Sequence, residues 1–334
     1  MILVTGGGGY IGSHTCVALL SAGEQVVVFD NFSNSCPVAL QRVQKICGKS
    51  LSTVEGDIRD QTTLENVLRQ YGCTAVMHFA GLKSVQESVA DPLEYYDQNV
   101  VGSHRLLRAM RNTGVKRIIF SSSATVYGTP QFLPYTEDHP LNAINPYGRT
   151  KLIIEDMLRD QFASDPSWEI GILRYFNPVG AHESGLIGED PMGVPNNLVP
   201  FVAQVAIGRR ERLNVWGDNY DTPDGTGVRD YVHVMDLAEG HVSALALLDS
   251  PKCFAVNLGT GAGSSVLEVV RAFEAASGMR IPYDVKPRRP GDIDAYYAST
   301  DYASKLMGWK ATRSLETMCG DHWRWQRSNP NGYV

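Results

Sequence analysis

A short apolar run, Ile2-Leu3-Val4-Thr5, passes directly into Gly6-Gly7-Gly8-Gly9-Tyr10-Ile11-Gly12, and an apolar-periodic segment follows from Ile11 to Leu20. Glycines between a buried strand and a helix form the turn at which a parallel α/β sheet holds a dinucleotide. Gly6 and Gly9 permit a tight turn and close backbone approach, and Gly12 lets the helix pack on the sheet. A pyrophosphate then meets free amides at the helix N-terminus, where Tyr10 and Ile11 sit. Asp30 closes a second run, Val26-Val27-Val28-Phe29, 18 residues after Gly12. An acid there hydrogen-bonds the ribose hydroxyls of NAD and repels the extra phosphate of NADP. Asn31, Phe32, Ser33 and Asn34 follow without an arginine, so NAD is the expected cofactor. Asp57 and Ile58 come after the third strand, where such folds contact the adenine ring. Phe79-Ala80-Gly81-Leu82-Lys83 comes after the fourth, at the sheet edge where ligands gather, and places Lys83 against the cofactor or the substrate.

The rest of the first half repeats the pattern. Strands are expected at 2–5, 26–29, 52–55, 75–79, 118–121 and 170–174, and helices near 11–22, 37–47, 61–70, 93–112 and 148–163. The strands are nearly all apolar, as when both sheet faces are covered. The expected fold is therefore α/β, a Rossmann-like doubly wound parallel sheet with a smaller C-terminal α/β domain. After residue 176, Gly/Pro/Asn-rich stretches at 176–197 and 217–229 loosen the pattern. The expected division is a dinucleotide domain over 1–176, to which some later segments return, and a substrate domain over 177–334. A length of 334 residues accommodates two domains.

Charge and composition exclude several classes. The net charge of −6 carries no compensating basic tract, which argues against nucleic acid. Arg209-Arg210 and Arg288-Arg289 are long enough to grip only one diphosphate. No apolar run approaches the roughly 20 residues that span a bilayer, and the opening run is too short for a signal-peptide core. The six cysteines lie apart, at 16, 36, 47, 73, 253 and 319, and neither they nor the eight histidines show metal-site spacing. A cytoplasmic protein without metal or membrane contact is expected.

Tyr147-Gly148-Arg149-Thr150-Lys151 sets a phenol and an ammonium one helical turn apart on one face. A free phenol has a pKa of about 10, too high for a base near neutrality. A nearby ammonium and an oxidised nicotinamide both favour the phenolate. Lowering the pKa by ~3 requires roughly 4 kcal/mol, within reach of two cations in a dry site. Ser121-Ser122-Ser123-Ala124-Thr125 follows the fifth strand. Ser123 is the serine expected to share a hydrogen bond with the tyrosine and a substrate oxygen, with Thr125 a second hydroxyl nearby.

The glycine string, the serine segment and the Tyr-x-x-x-Lys pattern, in this order, resemble the extended short-chain dehydrogenase/reductase superfamily. More narrowly the chain is similar to the UDP-glucose (UDP-galactose) 4-epimerases. That likeness runs nearly end to end, through Leu173 to His182, Pro195 to Leu198, Gly227 to Val234 and Pro287-Arg288-Arg289-Pro290-Gly291-Asp292. The resemblance implies that Tyr147 takes the proton from the sugar 4-hydroxyl while hydride passes from carbon 4 to NAD. The 4-keto sugar then turns over and receives hydride on its other face. Lys151 would tune the phenol and hold the nicotinamide ribose, and Ser123 would help move the proton. Asn99, Ser121, Tyr175 and Phe176 would complete the cofactor site. The UDP-sugar would be held by Asn177, Asn197, Leu198, Asn214, Val215, Trp216, Arg229, Tyr231, Arg289 and Asp292, the arginines suiting a diphosphate. Tyr296 matches the position at which relatives with a small residue admit N-acetylated sugars, so it should narrow the pocket to UDP-glucose and UDP-galactose. Gln98 departs from the asparagine common before the equivalent of Asn99.

Rival readings begin from the same oxidation. Nucleotide-sugar 4,6-dehydratases and decarboxylases carry an acid in the serine segment, where this chain has Ala124 and Thr125. A ketoreductase would exchange its cofactor at every cycle. A non-catalytic sensor would dispense with Tyr147 or Lys151. The resemblance also implies a homodimer joined through the helices near 93–112 and 148–163, whose Leu93, Tyr96, Val100, Leu107, Met110, Leu152, Ile153, Ile154, Met157, Leu158 and Phe162 cover more than one sheet face needs.

Overall fold

Alternate residues of the first strands face opposite ways, and both ways are apolar. In the computed structural model, which describes residues 1–289 and 291–333, Ile2 and Val4 enter one core cluster and Leu3 enters another. Pro290, within the basic string quoted above, and Val334 lie outside the described residues. Each fully buried side chain of this kind contributes about 1.5–3 kcal/mol, so the uninterrupted apolar runs have a sheet covered on both faces as their stable form.

Chain order is β1 (Ile2–Thr5), α1 (Tyr10–Ser21), β2 (Val26–Asp30), α2 (Pro37–Cys47), β3 (Ser52–Glu55), α3 (Gln61–Gln70) and β4 (Ala75–His78). Next come α4 (Val85–Ala90), α5 (Pro92–Tyr95), a π-helical turn (Tyr96–Val101), α6 (Gly102–Thr113), β5 (Arg117–Ser123), α7 (Pro146–Ser164), β6 (Glu169–Tyr175) and β7 (Asn177–Val179). The remainder is α8 (Leu198–Ala206), β8 (Leu213–Trp216), β9 (Val228–His233), α9 (Val234–Ala246), β10 (Lys252–Leu258), β11 (Gly263–Ser265), α10 (Val266–Ser277), β12 (Tyr283–Lys286), β13 (Ala295–Tyr296), α11 (Asp301–Met307) and α12 (Leu315–Ser328).

Seven parallel strands form the main sheet in the order β10-β6-β5-β4-β1-β2-β3. The order reverses between β1 and β4, which opens a crevice at their C-terminal ends. Cluster residues from α1, α2 and α9 (Leu19, Leu40 and Leu237) cover one face, and those from α3, α6 and α7 (Leu64, Leu106 and Ile154) cover the other. The last strand of the sheet, β10, comes from beyond residue 250 and pairs with β6 along its whole length. A second sheet, β11-β9-β13 with β7 beside β9, and the pair β8–β12 adjoin a third cluster to which α8, α10 and α12 contribute.

Two elements differ from the sequence expectation. The helix expected over 93–112 is broken: α5 leads through the π-helical turn into α6. The wider turn brings Asn99 inward, 1% exposed. Single π turns of this kind concentrate at functional sites. Strand β3 alternates in exposure and is not fully buried, because it ends the sheet and has a partner on one side only.

Candidate active site

The glycine turn closes over the crevice between β1 and β4. Gly6 has φ +70°, and a Cβ there would lie 2.6 Å from the Ala80 amide nitrogen. A Cβ on Gly12 would lie 2.3 Å from the Gly6 carbonyl oxygen. The N-terminus of α1 has Gly9 as its cap, no side-chain cap and no acid in its first turn, so its positive end stays open to an anion. Asp30 faces this turn: one carboxylate oxygen accepts from the Gly8 amide at 2.8 Å, the other from the Phe32 amide and the Ser35 hydroxyl. These residues fit a dinucleotide. Tyr10 donates its hydroxyl to the Gly180 carbonyl at 2.7 Å and joins the turn to the loop after β7.

Farther along, Asn31 folds back on Ser33 and donates to Asp57 at 3.4 Å. Asn34 is exposed, and Ile58 is buried against Gly102. The Asp57 carboxylate is held below its usual range, first by hydrogen bonds from Arg59, which also pairs with Asp97. Phe79 packs on His241, and Gly81 lies against Asn99. Asn99 uses its side chain on the protein: it accepts from the Leu82 amide at 2.7 Å and donates to the Leu82 carbonyl and the Thr150 hydroxyl, each at 3.0 Å. It pins the loop that carries Lys83.

Tyr147 is the second residue of α7, behind Pro146 at the first position and an Asn145 cap that accepts from the Gly148 amide at 2.8 Å. A Cβ on Gly148 would lie 2.8 Å from the Thr125 carbonyl, so glycine lets this helix end rest on the serine segment. Strand alternation then sorts the serines. Ser122 donates to Glu155 at 2.6 Å, on the side away from Ser121 and Ser123. Ser123 accepts from the Thr125 hydroxyl at 3.0 Å and lies beside the Tyr147 phenol. Tyr175 and Tyr296 also border that phenol, and Phe176 packs on Tyr296.

Burial dominates the electrostatics here. It pushes the Tyr147 phenol up to about 12, against the downward pull of the Ser123 hydroxyl. It lowers the Lys151 ammonium to about 8, against the upward pull of Glu155. Lys151 donates to the Ser121 carbonyl at 2.8 Å and lies 5.9 Å from the Tyr147 ring centre. An ammonium and an oxidised nicotinamide together favour the phenolate. In the protein alone burial is the largest influence on each group, and both are driven toward neutrality.

Across the cleft, Asn177 accepts from the Tyr296 hydroxyl at 3.0 Å, and Arg229 lies over the Tyr296 ring at 4.9 Å. Arg229 pairs with Asp292 at 3.2 Å, and Arg289 lies over Trp216 at 4.8 Å. Asn197 and Leu198 open α8, and Asn214 is half-buried in β8. Val215 and Tyr231 belong to the third core cluster. Their side chains are taken up by packing, so these two differ in kind from the polar residues around them.

A family model described as GDP-mannose 4,6 dehydratase matches residues 3–322. The UDP-glucose 4-epimerase of Bacillus subtilis (strain 168) is 58% identical over 333 residues, 99% of this chain and 98% of that protein. The chain belongs to the UDP-glucose 4-epimerase family. Solved members are similar throughout. The UDP-glucose 4-epimerase from Bifidobacterium longum, in complex with NAD+ and UDP, has a TM-score of 0.96 at 55% identity, with 99% of each chain covered. The one from Stenotrophomonas maltophila, with bound NAD and formylated UDP-arabinopyranose, has a TM-score of 0.97 at 49% identity, with 98% of each chain covered.

Within this member of the epimerase family, several residues at the site escaped the sequence reading. Glu189, 4% exposed, accepts from Lys83 and from Asn197, each at 3.1 Å. Glu155 and Arg174 form a buried ion pair at 2.7 Å beneath the serine segment, continued through Tyr127 to Asn257. Arg174 lies in the Leu173 to His182 segment, and nothing local to Glu155 or Glu189 marks either one.

Proposed function

We propose that this chain interconverts UDP-galactose and UDP-glucose by reversible oxidation at sugar carbon 4, with Tyr147 taking and returning the proton of the 4-hydroxyl. The observation that carries this reading is the convergence of Tyr147, Ser123 and Thr125 at the C-terminal edge of the sheet, beside an open helix end fitted to a dinucleotide. When bound, NAD supplies the group that accepts hydride from carbon 4 and gives it back. Gly6, Gly9, Tyr10, Ile11 and Gly12 would meet its pyrophosphate, Asp30 its adenosine ribose and Lys151 its nicotinamide ribose. Ser123 bridges the sugar oxygen and the phenol, so that the proton moves over a short path. Arg229, Arg289 and the open end of α8 face the diphosphate, and Asn177 and Tyr296 border the hexose. The keto sugar presents its second face by turning about the anchored UDP.

The absence of a carboxylate among Ser121 to Gly128 supports epimerisation over a dehydratase or decarboxylase, since those reactions move further protons. Two structural readings complete the proposal. Residues 1–176, with α9 and β10, bind the dinucleotide, and the other segments after 177 bind the UDP-sugar. The protein acts as a homodimer joined through α5, the π-helical turn, α6 and α7, the segments expected near 93–112 and 148–163. Leu107, Met110, Ile154 and Leu158 are spent on the core, whereas Leu93 is 78% and Val89 64% exposed, a surface that a second copy would cover.

Incubating the purified protein with UDP-galactose, without added cofactor, tests the reaction. UDP-glucose is the expected product, and a 4-keto-6-deoxy sugar would instead identify a dehydratase. Tyr147→Phe should lower turnover at least a thousandfold while leaving UDP binding within about twofold. Unchanged turnover would remove Tyr147 as the base.

A further inference from the structure

Two segments from opposite halves of the chain are stitched together at the mouth of the cleft. Lys83, after β4, pairs with Glu189 at 3.1 Å, and Asn196 donates to the Ser84 hydroxyl at 3.1 Å. Asn197 donates to the same Glu189 oxygen as Lys83, also at 3.1 Å. The two donors are exposed side chains, Lys83 by 51%, whereas the Glu189 side chain is 3% exposed and its second oxygen is buried without a partner among the described residues. Behind it the backbone is fixed. The Trp325 indole donates to the Glu189 carbonyl at 3.2 Å, and the Tyr333 hydroxyl bonds both the amide and the carbonyl of Gly188. A Cβ on Gly188 would lie 2.3 Å from the Trp325 ring, so the loop fits that wall only with glycine there.

Asn197 stands at the cap of α8 with extended backbone angles, φ −92° and ψ 151°, yet its side chain makes no cap bond. An asparagine so placed ordinarily accepts from an amide of the first turn. Here its amide group is turned to Glu189, and the Leu198 and Val199 N–H groups that open α8, ahead of Pro200, are left without a side-chain cap. We propose that Glu189 is a positioning residue for the epimerase reaction: it draws Lys83 and Asn197 to one point between the dinucleotide and nucleotide-sugar halves, and keeps the N-terminus of α8 uncapped for the diphosphate. The inference rests on the function proposed above and adds a residue to it. With Glu189 neutral, Lys83 loses its anchor and Asn197 turns back onto its own helix, where it competes with the incoming diphosphate.

Glu189→Gln keeps the shape and one acceptor but removes the charge. It should raise KM for UDP-galactose about tenfold, equivalent to ~1.4 kcal/mol, with kcat within about threefold. A purely structural defect would not divide the two constants in this way. In a double-mutant cycle with Lys83→Met, the pair should be no worse than the poorer single variant, because both act through one contact. A KM within twofold of wild type, or effects that multiply in the cycle, would overturn the proposal. If Glu189→Gln does not fold, Lys83→Met is measured alone, and a KM within twofold of wild type refutes it equally. Titration calorimetry with UDP separates this proposal from the reaction assignment. A wild type that makes no UDP-glucose defeats the assignment, whereas UDP binding unweakened in Glu189→Gln defeats the positioning role alone.

Discussion

Replacing Lys151 should abolish activity and stabilise the protein. The residue is 6% exposed, and burial lowers its ammonium from the ordinary 10.5 to about 8. The fold therefore disfavours the charged form by ~3 kcal/mol, at about 1.4 kcal/mol for each tenfold in proton affinity. Below pH 8 lysine is charged in the folded and unfolded chains alike, and the folded chain bears the whole penalty. Between pH 8 and 10.5 the unfolded chain binds more protons, so wild-type stability rises with pH and the penalty fades. Lys151→Met removes the charge and keeps most of the volume. Loss of the bond to the Ser121 carbonyl takes back about 1 kcal/mol. The variant should gain ~2 kcal/mol at pH 7, about 3 °C in Tm for a chain of this size. Calorimetry on both proteins, stripped of cofactor so that ligand binding does not mask the difference, would measure it. The gap should close by about pH 10. A Met variant that melts below wild type at pH 7, or a gap that ignores pH, would refute the claim that burial governs this lysine.

Tyr296→Ser would remove the ring that packs on Phe176 and lies under Arg229. It should raise turnover of UDP-N-acetylgalactosamine at least tenfold relative to UDP-galactose, whereas equal use of both sugars by the wild type would show that the ring is no barrier. Glu155→Gln should move the alkaline fall in activity to lower pH, because Glu155 raises the Lys151 pKa. It should also destabilise the fold by about 3–5 kcal/mol through the stranded Arg174; an unshifted pH profile would break the link to Lys151. Val89→Glu with Leu93→Glu should give a monomer by light scattering, and a monomeric wild type would refute the dimer.

What the sequence made legible follows from how locally each feature is encoded. Runs such as Val26 to Phe29 are apolar at every position, which only a doubly covered sheet accommodates, so β1, β2, β4 and β5 fall close to where the pattern puts them. The glycine turn is similarly local: strand, turn and helix are contiguous, and Asp30 lies one strand away. The π-helical turn at Tyr96–Val101 is different, since a one-residue change in helical winding leaves the apolar spacing nearly intact. Glu189 is harder still. Its meaning resides in Lys83, 106 residues before it, and in Trp325 far behind it. A lone acid in a Gly/Pro-rich stretch carries no such sign. Burial of the Tyr147 phenol was equally out of reach, because helical spacing reports which groups share a face but not the dielectric that they share.

That dielectric explains why the protein alone is not poised to react. Burial drives Tyr147 and Lys151 both toward neutral forms, so a phenolate with an ammonium beside it is unfavourable in the empty chain at neutral pH. The polar groups beneath them limit the imbalance on one side only: Glu155, ionised by Arg174 and Arg159, supports the charge on Lys151. Among the described residues no comparable charge partner supports the phenolate, and Ser123 offers it one hydroxyl. In the proposed reaction the further cation at this spot would be the oxidised nicotinamide. Burial thus leaves the tyrosine protonated, and in the reaction proposed above its base strength would arise with cofactor binding. A base formed that way would exist only in complexes able to take up the hydride, and a carbonyl would not be left behind without a path for its reduction.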